Sequence, residues 1–138
     1  MEYTEGSCYC GKVTFKVKAP ATWSAHCHCT QYQRLHGAAF ITCVGFKTLD
    51  FDISDPDKVF KRFSTGIAEH GFCSNCGSSF FFRYTKTSDV VEQEWLEYVY
   101  FARPNFTIGP DIEPTANIFY NTHASWIENI FELPKGNQ

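Results

Sequence analysis

The chain has 138 residues, a formal net charge of −3, and 14 Phe, 7 Tyr and 3 Trp against a single Met. That length suits one domain covering residues 1–138, able to bury about two-thirds of its unfolded surface, and the aromatic excess favours a mainly β fold. No basic cluster exceeds Lys61-Arg62 and no apolar run approaches the ~18 residues of a membrane span, so neither a nucleic-acid partner nor a membrane-embedded role is expected.

In chain order, Gly6-Ser7-Cys8-Tyr9-Cys10-Gly11 places two thiols on a turn or bulge, with Gly11 supplying backbone freedom. Residues 13–18 alternate apolar and polar, the pattern of a half-buried strand that Ala19-Pro20-Ala21 ends. Residues 30–37 read as a short helix, with Thr30 as N-cap and Gly37 as terminator. Residues 38–46 are apolar enough for a buried strand, and the acidic, Pro-containing stretch 50–57 reads as a turn. Further strands are predicted at 59–64, 79–84, 96–102 and 118–120, with a polar loop at 85–94 and a long connection at 104–114. No internal repeat or low-complexity linker interrupts them.

The cysteines carry the chemistry. There are seven, an odd number, and Met1-Glu2-Tyr3-Thr4-Glu5 lacks the basic-then-apolar pattern of a signal peptide. A reducing compartment is therefore expected, the cytoplasm or else the nucleus, with metal ligation as the use of the thiols. Phe72-Cys73-Ser74-Asn75-Cys76-Gly77 has the Cys-x-x-Cys-Gly form of a zinc knuckle, a turn that sets two sulfurs about 2.3 Å from one metal. With Cys8 and Cys10, the pair Cys73 and Cys76 completes a tetrahedral four-cysteine set for one structural Zn2+. A disulfide between the pairs, or four unrelated buried thiols, are the alternatives.

The second concentration is His26-Cys27-His28-Cys29-Thr30-Gln31-Tyr32-Gln33-Arg34-Leu35-His36-Gly37, where two thiols and three histidines fall within eleven residues. Small buried cysteines and solvated histidines are the bland reading of this stretch.

Taken with Gly6 to Phe15, Cys27-His28-Cys29, Gly37-Ala38-Ala39-Phe40, Phe72 to Ser78 and Pro114 to Trp126, the chain resembles the glutathione-dependent formaldehyde-activating enzyme family. Centromere protein V also belongs to that family. The resemblance implies a β-tent fold of small layered antiparallel sheets with one short helix, crossed by a structural zinc on Cys8, Cys10, Cys73 and Cys76. It also implies a second, catalytic zinc on a Cys-x-Cys-x-x-Cys set that meets a substrate thiol such as glutathione, with chemistry that makes or breaks a carbon–sulfur bond to a small carbonyl compound.

Here the third cysteine of that set is Tyr32 and the arginine that often follows it is Gln33. Cys27 and Cys29 give two ligands where a catalytic zinc takes three. Three outcomes follow. His36, at i+7 from Cys29 on one helical face, supplies a ligand. Or the pocket survives without metal, with Tyr32 as general acid or base and Cys27 or Cys29 as nucleophile. Or the site is dead and the domain is a non-catalytic zinc-binding interaction module. The enzyme reading is lyase, dehydratase or isomerase chemistry on a thiol conjugate or small electrophile through Cys27, Cys29, Tyr32 and His36. Glu69, His70 and His123 are further pocket candidates, Arg34 and Arg103 candidate carboxylate anchors, and Trp126 is expected in the core. The sequence leaves the oligomeric state open.

Overall fold

The computed structural model describes residues 3–137. Its strands are β1 (Thr4–Ser7), β2 (Thr14–Val17), β3 (Ala21–Cys27), β4 (Ile41–Phe46), β5 (Asp52–Ser54), β6 (Phe60–Ser64), β7 (Ala68–Cys73), β8 (Ser79–Tyr84), β9 (Val99–Ala102), β10 (Phe106–Ile108) and β11 (Asn117–Ile118), with one α-helix, α1 (Thr30–His36). A four-stranded sheet runs β10-β1-β2-β5 and a seven-stranded sheet runs β11-β3-β4-β9-β8-β7-β6. The fold is mainly β with layered sheets and one short helix, as expected. One pairing departs from the antiparallel expectation: β11 lies parallel to β3, with Asn117 opposite His26 and Ile118 opposite Cys27.

The aromatic excess fills the space between the sheets. Phe15 of the small sheet stacks on Phe101 of the large one at 4.5 Å between ring centres, and Phe46, Phe80 and Phe101 are fully buried. Each such ring pair adds about 0.5–1.5 kcal/mol beyond the area it buries. Within the small sheet the space at Gly6 is so tight that a Cβ there would lie 2.1 Å from the ring of Phe15, its partner on β2, and 2.6 Å from the Asn105 carbonyl oxygen just before β10.

Strand β4 shows why residues 38–46 read as one apolar run. Val44 and Phe46 point into this inter-sheet core, while Ile41 and Cys43 point to the opposite face, against Cys27, Tyr32 and Ala102. Both faces of the strand are covered, so neither needs to be polar. The strand itself begins at Ile41, leaving residues 38–40 as the lead-in from the helix.

Several predicted boundaries move. The stretch 50–57 contains β5, paired with β2 through Phe15 and Ile53. Residues 93–97 form a 3-10 turn, so the strand predicted at 96–102 starts at Val99. Residues 120–122 are likewise a 3-10 turn following the two-residue β11. The N-cap of α1 is Cys29, whose sulfur accepts from the Tyr32 backbone N–H at 3.4 Å, not Thr30. Gly37 does terminate the helix, in the left-handed conformation at φ 59. Trp126 is 70 % exposed, so it is not a core residue. No helix among the described residues is long and apolar enough to cross a membrane.

Candidate functional site

Four thiols meet where the two sheets meet. Cys8 follows the end of β1, Cys73 ends β7, and Cys76 lies on the turn leading to β8. The Sγ atoms of Cys8, Cys10, Cys73 and Cys76 all lie within 4.8 Å of one another, with Cys8 to Cys10 at 3.5 Å and Cys10 to Cys73 at 3.8 Å. A tetrahedron with metal–sulfur distances near 2.3 Å has sulfurs about 3.8 Å apart, so the set fits a tetrahedral ion. None of the four is in a disulfide. Both turns close on a glycine at φ 82, Gly11 and Gly77, and the turns are tied together by the Tyr9 N–H donating to Ser78 Oγ at 3.0 Å.

The electrostatics prepare two of the sulfurs for a cation. Cys10 is lowered from the ordinary thiol value by the Asn75 side chain and then the Lys12 backbone N–H. Burial works against Cys76, yet the Ser78 hydroxyl and the Cys10 backbone N–H bring it down to about 6. Cys73, dominated by burial, is pushed up to about 11. The cluster could hold a metal ion, and among the described residues it is the only group of three or more Cys, His, Asp or Glu ligand atoms gathered this closely.

The second concentration forms the floor of a cavity of about 830 Å³. Cys27 comes from the end of β3, Cys29 from the helix cap and Tyr32 from the one buried position of α1. A third thiol completes this floor: Cys43, on the neighbouring strand, where Ala25 faces Cys43 and Cys27 faces Ile41. Sequence reasoning passed over Cys43 as part of an apolar strand. The odd cysteine count was the available signal, since the two clusters account for six of the seven thiols.

Cys27, Cys29 and Tyr32 are all raised above their ordinary values. Cys29 draws Cys27 downward by a hydrogen bond, but the Cys43 thiol and burial prevail, and Cys27 is pushed up to about 11. Cys29 is pushed up further by its bond to Cys27 and by burial. Burial, followed by the Cys43 thiol, keeps the Tyr32 phenol well above its ordinary value. Tyr84, on the cavity wall, rises to about 12, first through burial and then through the three thiols.

His36 does not line this cavity. Its ring packs edge-on against Tyr32 at 5.3 Å, and burial followed by the nearby His70 pushes it down to about 4. Among the described residues, Cys27, Cys29 and His36 are not gathered as a ligand set, and neither are the three floor thiols. The donors present therefore do not build a second closed zinc site.

The remaining candidates lie elsewhere. His70 is buried, stacked on Phe82 at 5.7 Å, with its Nε2 unpaired. Glu69 is engaged by Arg62 at 2.5 Å and Arg83 at 3.4 Å. His123 pairs with Glu128 at 2.5 Å and stacks on Tyr120. The Arg103 guanidinium donates to the Ile112 carbonyl, and Arg34 is exposed on the last turn of α1.

The sequence profile described as glutathione-dependent formaldehyde-activating enzyme matches residues 3–122. The chain belongs to that family. Among curated proteins, a Schizosaccharomyces pombe protein described as an uncharacterized lyase is 30% identical over 83 residues, 59% of this chain and 58% of that protein. The chain thus spans little more than half of this relative's length. A crystal structure of a Rhodobacter sphaeroides protein superposes on this formaldehyde-activating family member with a TM-score of 0.57 at 16% identity, covering 82% of this chain and 98% of the other. That likeness extends to the fold.

Proposed function

We propose that this member of the formaldehyde-activating family is a lyase-type enzyme acting on a small thiol conjugate or electrophile in the cavity floored by Cys27, Cys29, Cys43 and Tyr32. The observation that carries the reading is the cavity itself, about 830 Å³ converging on those groups, within the size range of small-molecule sites. A non-catalytic module is expected to fill such a site with side chains. Zinc on Cys8, Cys10, Cys73 and Cys76 would have all four positions closed by thiolates and would supply folding free energy.

With Cys27, Cys29 and Tyr32 holding their protons, the chemistry leaves no net charge behind. The substrate's thiol, held beside Cys27 and Cys29, adds its sulfur to a carbonyl carbon. The carbon–oxygen π pair moves to oxygen, Tyr32 protonates that oxygen, and the thiol proton restores Tyr32. A carbon–sulfur bond forms, and the reverse sequence cleaves it. Tyr32 is suited to donate because burial keeps its proton in place until negative charge develops on the substrate. His36 supports the ring of Tyr32 and has no part in ligating metal.

The test uses the hemithioacetal of an aromatic aldehyde and 2-mercaptoethanol, followed by aldehyde absorbance. Tyr32→Phe is expected to lower turnover by about 10²-fold or more while the metal content per chain stays unchanged. Equal rates for Tyr32→Phe and wild type, or no acceleration by wild type, overturn the reading.

A further inference from the structure

The cavity's walls and charges say which small molecules it takes. Tyr98 stacks on Tyr100 at 5.8 Å, Tyr100 on Phe82 at 5.0 Å, and Tyr84 faces Trp95 at 5.9 Å. Trp23 closes one side, edge-on to Tyr100 at 5.5 Å. Among the described residues no Lys, Arg or His lines the cavity, and Glu94, exposed in the 93–97 turn, is its one carboxylate.

Volume does not choose between ligands, because a space of about 830 Å³ far exceeds formaldehyde and would admit a tripeptide. Charge does. At neutral pH glutathione carries two carboxylates and one ammonium, and carboxylates need cationic or N–H donors to leave water. The arginines nearest the large sheet's edge are committed: Arg62 and Arg83 to Glu69, and Arg103 to the Ile112 carbonyl. An apolar aromatic wall with one acidic group beside it suits the opposite kind of ligand, one whose flat ring packs on the wall and whose positive charge pairs with the carboxylate.

Building on the reading of this cavity as the substrate site, we infer that it takes an arylalkylamine bound as its ammonium cation, ring against the Phe82–Tyr100–Tyr98 wall and ammonium toward Glu94, in place of the anionic tripeptide. The electrophilic carbon of the substrate is then carried by an amine-bearing aromatic molecule.

Three probes share one ring and one spacer: 2-phenylethylamine, 2-phenylethanol and 3-phenylpropionate. Binding to the full metal-loaded chain is read by quenching of Trp23 and Trp95, both on the cavity wall. The amine is expected to bind about tenfold more tightly than the alcohol, with the propionate and glutathione weaker than both. Glu94→Gln should bring the amine to the level of the alcohol and leave the alcohol unchanged. Propionate or glutathione binding as tightly as the amine, an amine affinity untouched by Glu94→Gln, or no binding by any probe overturns the inference. Tyr32→Phe separates the two ideas. Retained amine preference with unchanged turnover sinks the catalytic reading alone, whereas lost turnover with preference for the anion sinks this one alone.

Discussion

The clip of Cys8, Cys10, Cys73 and Cys76 and the floor of Cys27, Cys29 and Cys43 are built from the same side chain and differ in what points at the sulfur. At the clip, Asn75, the Ser78 hydroxyl and backbone N–H groups lower Cys10 and Cys76, while burial raises Cys73 to about 11. At the floor, backbone N–H groups also reach Cys27 and Cys29, but neighbouring thiols and burial prevail and both are raised. Donors aimed at sulfur favour thiolate and so a cation. Thiols packed on one another in apolar surroundings keep their protons. The lesson is that one side-chain type is lowered where polar donors dominate its surroundings and raised where neighbouring thiols and burial do.

The largest effect should come from breaking the clip. Structural zinc in small domains contributes about 10–16 kcal/mol of apparent binding free energy at neutral pH, comparable with the total stability of a domain, about 5–15 kcal/mol. Cys73→Ala, or removal of metal by a strong chelator, is expected to abolish the cooperative thermal transition. Cys43→Ala, at an equally buried thiol of the floor, should keep the transition and the metal and cost about 1–2 kcal/mol. Similar losses for the two variants would erase the distinction between the regions.

Next in size is Gly6→Ala, beside the clip. Its new methyl meets the Phe15 ring and the Asn105 carbonyl at once, and backbone cannot swing aside as a side chain can. A loss of about 3 kcal/mol is expected in urea unfolding, at the upper end of ordinary overpacking. A change below about 1 kcal/mol would show that the small sheet near the clip yields more easily than this packing implies.

How far the sequence carried depended on whether a segment's pattern was set locally. Residues 13–18 announced β2 because side chains alternate against a buried face, residues 79–84 announced β8 by their run of phenylalanines, and Gly37 announced the helix end because its conformation excludes most other residues. Strand β3 was hidden. Its Ser24 and His26 break the apolar pattern, and only the fold supplies their partners, the Cys43 carbonyl at 2.8 Å and the Thr42 hydroxyl at 2.9 Å. Strand β7 was hidden likewise, since Gly71 weakens any strand signal and is explained only by the Phe81 ring, 2.5 Å from where its Cβ would sit. The clip was legible from spacing. Cys43 and the aromatic wall were not, because strand register and the return of β9 beside β8 bring them to the floor, and no local spacing encodes that.

The smallest of these effects separates the regions by acid. His36 falls from 6.5 to about 4 in the folded protein, through burial and then His70. Above the unfolded value it is neutral in both states and contributes nothing. As pH drops below 6.5, the unfolded chain takes a proton that the folded one refuses, so stability is lost, and the loss is complete near the folded value. At pH 5 this amounts to about 2 kcal/mol, an upper figure given the ring's partial exposure, and His70, also lowered by burial, adds in the same direction. The clip loses stability in acid for a different reason, protonation of its thiolates. His36→Gln should therefore lose less stability than wild type between pH 7.5 and pH 5, by up to that amount, when both chains are metal-loaded and unfolded in urea. Equal losses would assign the acid sensitivity to the clip, and would mean that the imidazole behind Tyr32 accepts its proton in the folded state after all.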